Sequence, residues 1–109
     1  MTHPCFRIPR QSGWGWDGQR RLVFRRVDRY LTPLAVPMKG YGTVRRGFTR
    51  SYHRPLGAYV NGPAACGLLV DGVHEIPTHR PPQHGPRAKA ERTAHREIPL
   101  FLALRALKR

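Results

Sequence analysis

Acidic side chains are what this sequence most conspicuously lacks: six carboxylates stand against twenty Lys and Arg, for a formal net charge of +14 at pH 7. A chain so unbalanced repels copies of itself and seeks anions. Lysine is scarce as well, three residues against seventeen arginines. The bias matters because a planar guanidinium binds phosphate bidentately and stacks on rings, whereas an ammonium acts as a hydrated point charge. A GC-rich coding sequence would supply Arg, Pro, Gly and Ala regardless of function and would explain the Arg excess. It would not explain why acids are so few.

Cysteine is nearly absent. Cys5 and Cys66 are too few and too widely spaced for a disulfide framework or a zinc ribbon, so a reducing compartment is expected. Apolar residues are sparse: Leu, Ile, Val and Phe make up 24 of 109 residues, just above the roughly 20% below which a highly charged chain stays disordered. Long hydrophobic runs are missing too. The longest, Ile98 to Leu107, is interrupted by Pro99 and Arg105, well short of the roughly 20 residues of a membrane span, so no integral membrane segment is expected. The first sixteen residues lack a secretory pattern, and Pro4 and Pro9 spoil a transit-type helix.

Catalytic and cofactor signatures are absent in turn. Gly40-x-Gly42 lacks a preceding strand and a third glycine, and no Gly-Lys-Ser/Thr occurs, so no nucleotide loop is expected. His74-Glu75-Ile76-Pro77-Thr78-His79 approaches a zinc-protease motif, but one extra residue separates the histidines and Pro77 opposes the helix that motif needs. Cys66, His74, His79 and His84 could in principle gather round a metal, yet histidines scattered through a basic chain are more often phosphate donors or solvent groups. Cys66 lies among small apolar residues, Ser51 and His53 are neighbours only in sequence, and no paired carboxylates stand out. The expectation is a non-catalytic chain with no cofactor, no metal and no small-molecule substrate.

What is present sorts by charge. Residues 1–31 carry +5, 32–60 carry +5, 61–79 carry −2 and 80–109 carry +6. Basic segments thus surround the one acidic stretch, the usual footprint of a protein built into nucleic acid. The expected organisation is an extended arm over 1–16 whose Trp14 and Trp16 can stack on bases but more often plug such an arm into an apolar groove of the same or a neighbouring protein, a small core region over 17–79, a Pro-rich linker over 80–86 and a helical tail over 87–109.

The expected fold class is α+β, small and partly extended, with basic extended arms. Asp17 caps a helix over about 18–31, in which Val23, Val27, Tyr30 and Leu31 share a face and Arg21, Arg25 and Arg29 form a basic ridge flanked by Arg20 and Arg26. Asn61-Gly62 and Asp71-Gly72 are strong two-residue hairpin signals and predict a three-stranded meander over about 56–76, with Val70 opposite Val73 and Cys66 mid-strand. A short helix from Pro63 through Val70 is the alternative. A second helix is expected over about 87–107, kinked or ended by Pro99.

Between the first helix and the meander, Tyr41, Phe48 and Tyr52 interleave with Arg45, Arg46, Arg50 and Arg54, a mixture suited to backbone neutralisation and base stacking. In style, though without a shared motif, the chain resembles small ribosomal and organellar-ribosomal proteins. The functional expectation is a structural RNA-binding protein of a ribonucleoprotein, with rRNA and neighbouring proteins as partners, in a cytoplasmic or mitochondrial ribosome. Arg20, Arg21, Arg25, Arg26 and Arg29 would serve one stretch of backbone and Arg45, Arg46, Arg50 and Arg54 another, with Tyr41, Phe48, Tyr52, Trp14 and Trp16 as stacking groups. The alternatives are an accessory subunit of a large assembly such as a respiratory membrane complex, and a chain without selected function from a GC-rich reading frame.

Overall fold

The chain first reverses direction at Asp17-Gly18. In the computed structural model, which describes residues 1–39, 48–78 and 84–109 (without the side chains of 38, 39, 48 and 49), strands β1 (Ser12–Asp17) and β2 (Leu22–Val27) form an antiparallel hairpin. The Asp17 carboxylate accepts hydrogen bonds from the backbone N–H of Gln19 at 3.0 Å and of Arg20 at 3.1 Å, the Asx arrangement that lets aspartate start a turn. Arg21 closes the loop in the left-handed region at φ 53°.

This hairpin replaces the helix expected over 18–31. Asp17 does satisfy backbone donors as a cap would, but they belong to a turn. Arginines four apart oppose one another on a helix, whereas on a strand Arg25 and Arg26 point to opposite faces. Val23, Phe24 and Val27 also suit a pleated ribbon.

The second ribbon pairs β3 (Leu34–Lys39) with β4 (Phe48–His53) antiparallel, Val36 opposite Ser51 and Leu34 opposite His53. Alternation along β4 turns His53 inward, 2% exposed, and leaves Arg50 and Tyr52 on the outer face. His53 Nε2 lies 2.7 Å from the Tyr30 carbonyl. A carbonyl only accepts, so this ring nitrogen carries the proton.

The Tyr30 hydroxyl accepts from the Leu56 backbone N–H at 2.8 Å, and the Cys5 thiol lies 3.9 Å away. Burial pushes the Tyr30 phenol pKa up, the Leu56 N–H pulls it down, and Cys5 adds to the rise. The Tyr30–His53 node thereby fastens the N-terminal segment and the start of the next helix to β4.

That next element corrects the expected meander. Residues Leu56–Ala65 form helix α1, with Asn61-Gly62 inside it. The stripe Leu56, Tyr59, Val60 and Pro63 is half-buried while the positions between are exposed, the i, i+3, i+4, i+7 spacing of an amphipathic helix. Gly67, at φ 82°, takes the left-handed position after the helix, where its N–H reaches the Ala64 carbonyl at 3.0 Å. Cys66, expected mid-strand, is therefore the exposed C-cap of α1. The helix stops at Ala65, so the alternative from Pro63 through Val70 does not form either.

Asp71-Gly72 does not turn. The segment Leu68–Ile76 is one strand, β5, with a bulge between Val70 and Gly72. Its partner is β6 (Phe101–Lys108), which takes the place of the second half of the expected 87–107 helix. Helix α2 covers Ala88–Glu97 and ends with Ile98 in extended conformation before Pro99. Beyond it Phe101–Arg105 alternates in burial, with Leu102 1% exposed. Helix-favouring Leu and Ala are overridden by the ladder with β5. Asp71 at the bulge accepts from Arg105 twice, Nε at 2.8 Å and Nη2 at 3.0 Å.

The first residues, expected as an extended arm to residue 16, lie along β6. The His3 N–H donates to the Leu100 carbonyl at 2.8 Å, and Met1 and Leu102 exchange backbone bonds at 3.0 and 2.9 Å. His3, 2% exposed, accepts from the Cys5 N–H on Nδ1 at 3.1 Å and so donates from Nε2 to Glu75 at 2.8 Å.

Among the described residues three two-stranded sheets and two helices thus make a small α+β fold. Among them the buried apolar residues are Ile8, Val36, Ala94, Leu100 and Leu102. The radius of gyration is 16.6 Å, against about 13 Å for a compact chain of this length. The sparse aliphatic content leads to a thin core and an elongated body. Among the described residues no helix is long and apolar enough to cross a membrane.

Candidate functional site

The face of the β1–β2 hairpin that carries Trp14, Trp16, Val23 and Arg25 turns towards α2. Trp14 and Arg25 are cross-strand partners, as are Trp16 and Val23, so alternation puts all four on one face. Trp14 stacks on His95 of α2 with ring centroids 4.8 Å apart, and the Arg25 guanidinium lies 4.9 Å from the same indole. Arg87, just before α2, lies 4.7 Å from the Trp16 ring. Cation–π contact of this kind contributes about 0.5–1 kcal/mol at exposed sites and more when desolvated. The two tryptophans, expected on an extended arm, clamp a hairpin to a helix.

Arg25 is turned inward. Its Nε donates to the Phe6 carbonyl at 2.7 Å and its Nη2 to Ser12 Oγ at 3.2 Å. Burial first, then Arg7 and Arg26 beside it, pull its pKa down. That crowding places three guanidiniums in one neighbourhood, and Arg7 also sits 5.3 Å from the Phe101 ring.

Arg20 and Arg21 are exposed on the β-turn, Arg26 points to the opposite face of β2 and bonds Asp28 at 3.1 Å, and Arg29 is exposed just beyond the strand. The five residues expected to line one helical ridge are therefore spread over a turn, both faces of a strand and the segment after it.

In the second expected patch, Arg50 and Tyr52 share the outer face of β4, with Tyr52 57% exposed. Arg54 follows, exposed, with Nη1 on the His53 carbonyl at 2.9 Å. Tyr41, Arg45 and Arg46 lie outside the described residues, as does the side chain of Phe48. Among the described residues Arg26, Arg96 and Arg105 are the arginines with a carboxylate within 4.0 Å. Most of the described guanidiniums consequently face solvent without an acidic partner.

Between the hairpin and α2 lies an open cleft of about 520 Å³. Trp16, Leu22 and Val23 wall one side, Ala90, Ala94 and Ile98 the other, and Arg21, Lys89, Thr93 and Glu97 bring polar groups to it. Positions 90, 94 and 98, and beside them 89, 93 and 97, recur at the four-residue spacing that aligns side chains along a helix. Small alanines at 90 and 94 are what leave the space open. This juxtaposition could have been suspected from the spacing within α2, but its second wall required the hairpin. Compared with protein families, with curated proteins and with solved structures, the chain matches none.

Proposed function

We propose that the protein is a structural RNA-binding component of a ribonucleoprotein, a ribosome being the assembly its style fits best, and that it acts by neutralising phosphate backbone rather than by catalysis. The observation that carries this reading is the excess of exposed guanidiniums over carboxylates: Arg10, Arg20, Arg21, Arg29, Arg50 and Arg54 are exposed with no acidic partner among the described residues. Such groups release counterions from a polyanion when they bind it. Tyr52 beside Arg50, and the turn that presents Arg20 and Arg21, add stacking and a protruding basic tip.

A protein neighbour fits the same picture. The β5–β6 ribbon exposes Leu69, Val73, Ile76 and Leu107 at 40, 55, 39 and 57%, aliphatic side chains of the kind that mark contact surfaces where they gather. This favours placement against another protein, within a ribonucleoprotein or, as the second reading, as an accessory subunit of another large assembly.

A salt titration of RNA binding is the test. The logarithm of the association constant should fall linearly with the logarithm of salt concentration, and changing Arg20 and Arg29 together to Ala should lower the slope by about one for each phosphate no longer neutralised. A flat salt response overturns the reading, as does heparin binding as tight as RNA binding.

A further inference from the structure

We propose that the cleft between the β1–β2 hairpin and α2 takes one unpaired nucleobase, its phosphate held by Arg21 and Lys89 and its ring set against Trp16 and the alanine wall of α2. The inference rests on the RNA-binding reading and specifies what part of the RNA this place receives. About 520 Å³ falls within the roughly 300–1,000 Å³ of small-molecule sites, which pair apolar walls with a few directed polar groups. Here the apolar part is an indole facing alanines, and the polar part is sorted by charge.

Arg21 and Lys89 have no carboxylate within 4.0 Å among the described residues, so two uncommitted cations stand at an apolar slot. An aliphatic side chain of a partner protein would fill the slot but leave both cations unanswered. A nucleotide answers both, since its base has a π-face for Trp16 and its phosphate matches the cations. Arg87 over Trp16 keeps the indole in place and adds a third positive charge nearby.

The remaining polar groups favour an amino-bearing base. The Thr93 hydroxyl donates to the Lys89 carbonyl at 3.1 Å, which leaves its lone pairs as acceptors. Glu97 offers a carboxylate whose contact with Arg96 is loose, at 3.9 Å. Acceptors of this kind suit the exocyclic amino groups of adenine or cytosine, as when a carboxylate reads cytosine N4. The carbonyl edge of uracil would meet like partial charge.

The test uses the full chain with five-nucleotide strands of A, of C, of U and of abasic residues carrying the same number of phosphates, followed by fluorescence anisotropy at fixed salt. The A and C strands should bind at least about fivefold tighter than the abasic strand, the effect of one stacked base. Ala90→Leu, which fills the slot, should bring the A and C strands down to the affinity of the abasic strand measured on the same variant. Glu97→Gln, an exposed change, should narrow the preference for A and C over U. Equal binding of intact and abasic strands overturns the proposal, as does a base effect that survives Ala90→Leu or a base preference unmoved by Glu97→Gln. The wider reading fails separately, if no strand, abasic included, binds with the salt dependence of phosphate contact.

Discussion

The β1–β2 hairpin and the β5–β6 ribbon are both two-stranded and antiparallel, yet they are held by different means. The hairpin has tryptophans on one face, each contacted by a cation, with α2 packed against that face. The ribbon is longer, aliphatic and fastened at its bulge by Asp71 and Arg105. An isolated two-stranded ribbon is marginal in water, so each needs cover. The hairpin finds it within the chain, with Arg25 turned inward, Arg20 and Arg21 on the turn and Arg26 on the outer face. The ribbon is covered at one end by His3 and Met1 and leaves Leu69, Val73 and Leu107 exposed. One region therefore carries its free cations at a turn, the other leaves aliphatic side chains uncovered.

Substitutions can break this contrast. The largest effect is expected at Leu102, 1% exposed where the N-terminal residues meet β6. Leu102→Ala should cost about 2–5 kcal/mol, enough in so thin a core to abolish a cooperative thermal melt followed by circular dichroism.

Next comes Arg25. Arg25→Ala removes two hydrogen bonds and the contact with Trp14 and should lower stability in a urea titration by about 1–3 kcal/mol, as loss of bonds to a charged group does. It should change the salt slope of RNA binding less than Arg20→Ala does, since its guanidinium is engaged internally. An equal or larger change in slope would show Arg25 to be a phosphate contact after all.

The smallest effect compares two glycines. A Cβ at Gly15 would collide with the Phe24 ring, whereas one at Gly72 would meet Arg105 at 3.5 Å, an ordinary contact. Gly15→Ala must displace a ring that is 45% exposed, at a cost of about 1 kcal/mol. Gly72→Ala should be nearly neutral. Denaturant midpoints of the two variants decide it.

Local chemistry was legible where neighbours in sequence settle it. The helical composition from residue 87, the capacity of Pro99 to end or kink a helix and the readiness of Asp17 to satisfy nearby N–H groups all belong to short-range geometry. The stripe Leu56, Tyr59, Val60, Pro63 was equally available, but Asn61-Gly62 outweighed it. An Asn-Gly pair is compatible with a turn and does not compel one, and here the helix is fixed at its start by Tyr30 and at its end by Gly67. The candidate site shows the same division. Arg21 and Lys89 are visible as charges, whereas their placement around Trp16 and Ala90 depends on a hairpin meeting a helix some seventy residues later.

By itself the sequence determined the sign and density of charge, the thinness of the core and the small α+β class, because these follow from composition and from the number of apolar side chains available to bury. Only the tertiary structure decided that Asp71-Gly72 bulges rather than turns, that Leu100–Leu107 enters a strand rather than a helix, and that Trp14 and Trp16 serve the protein's own packing. In the first two cases the local sequence is compatible with either conformation, and in all three a partner distant in sequence selects: Arg105 for the bulge, β5 for the strand, and Arg25, His95 and Arg87 for the tryptophans.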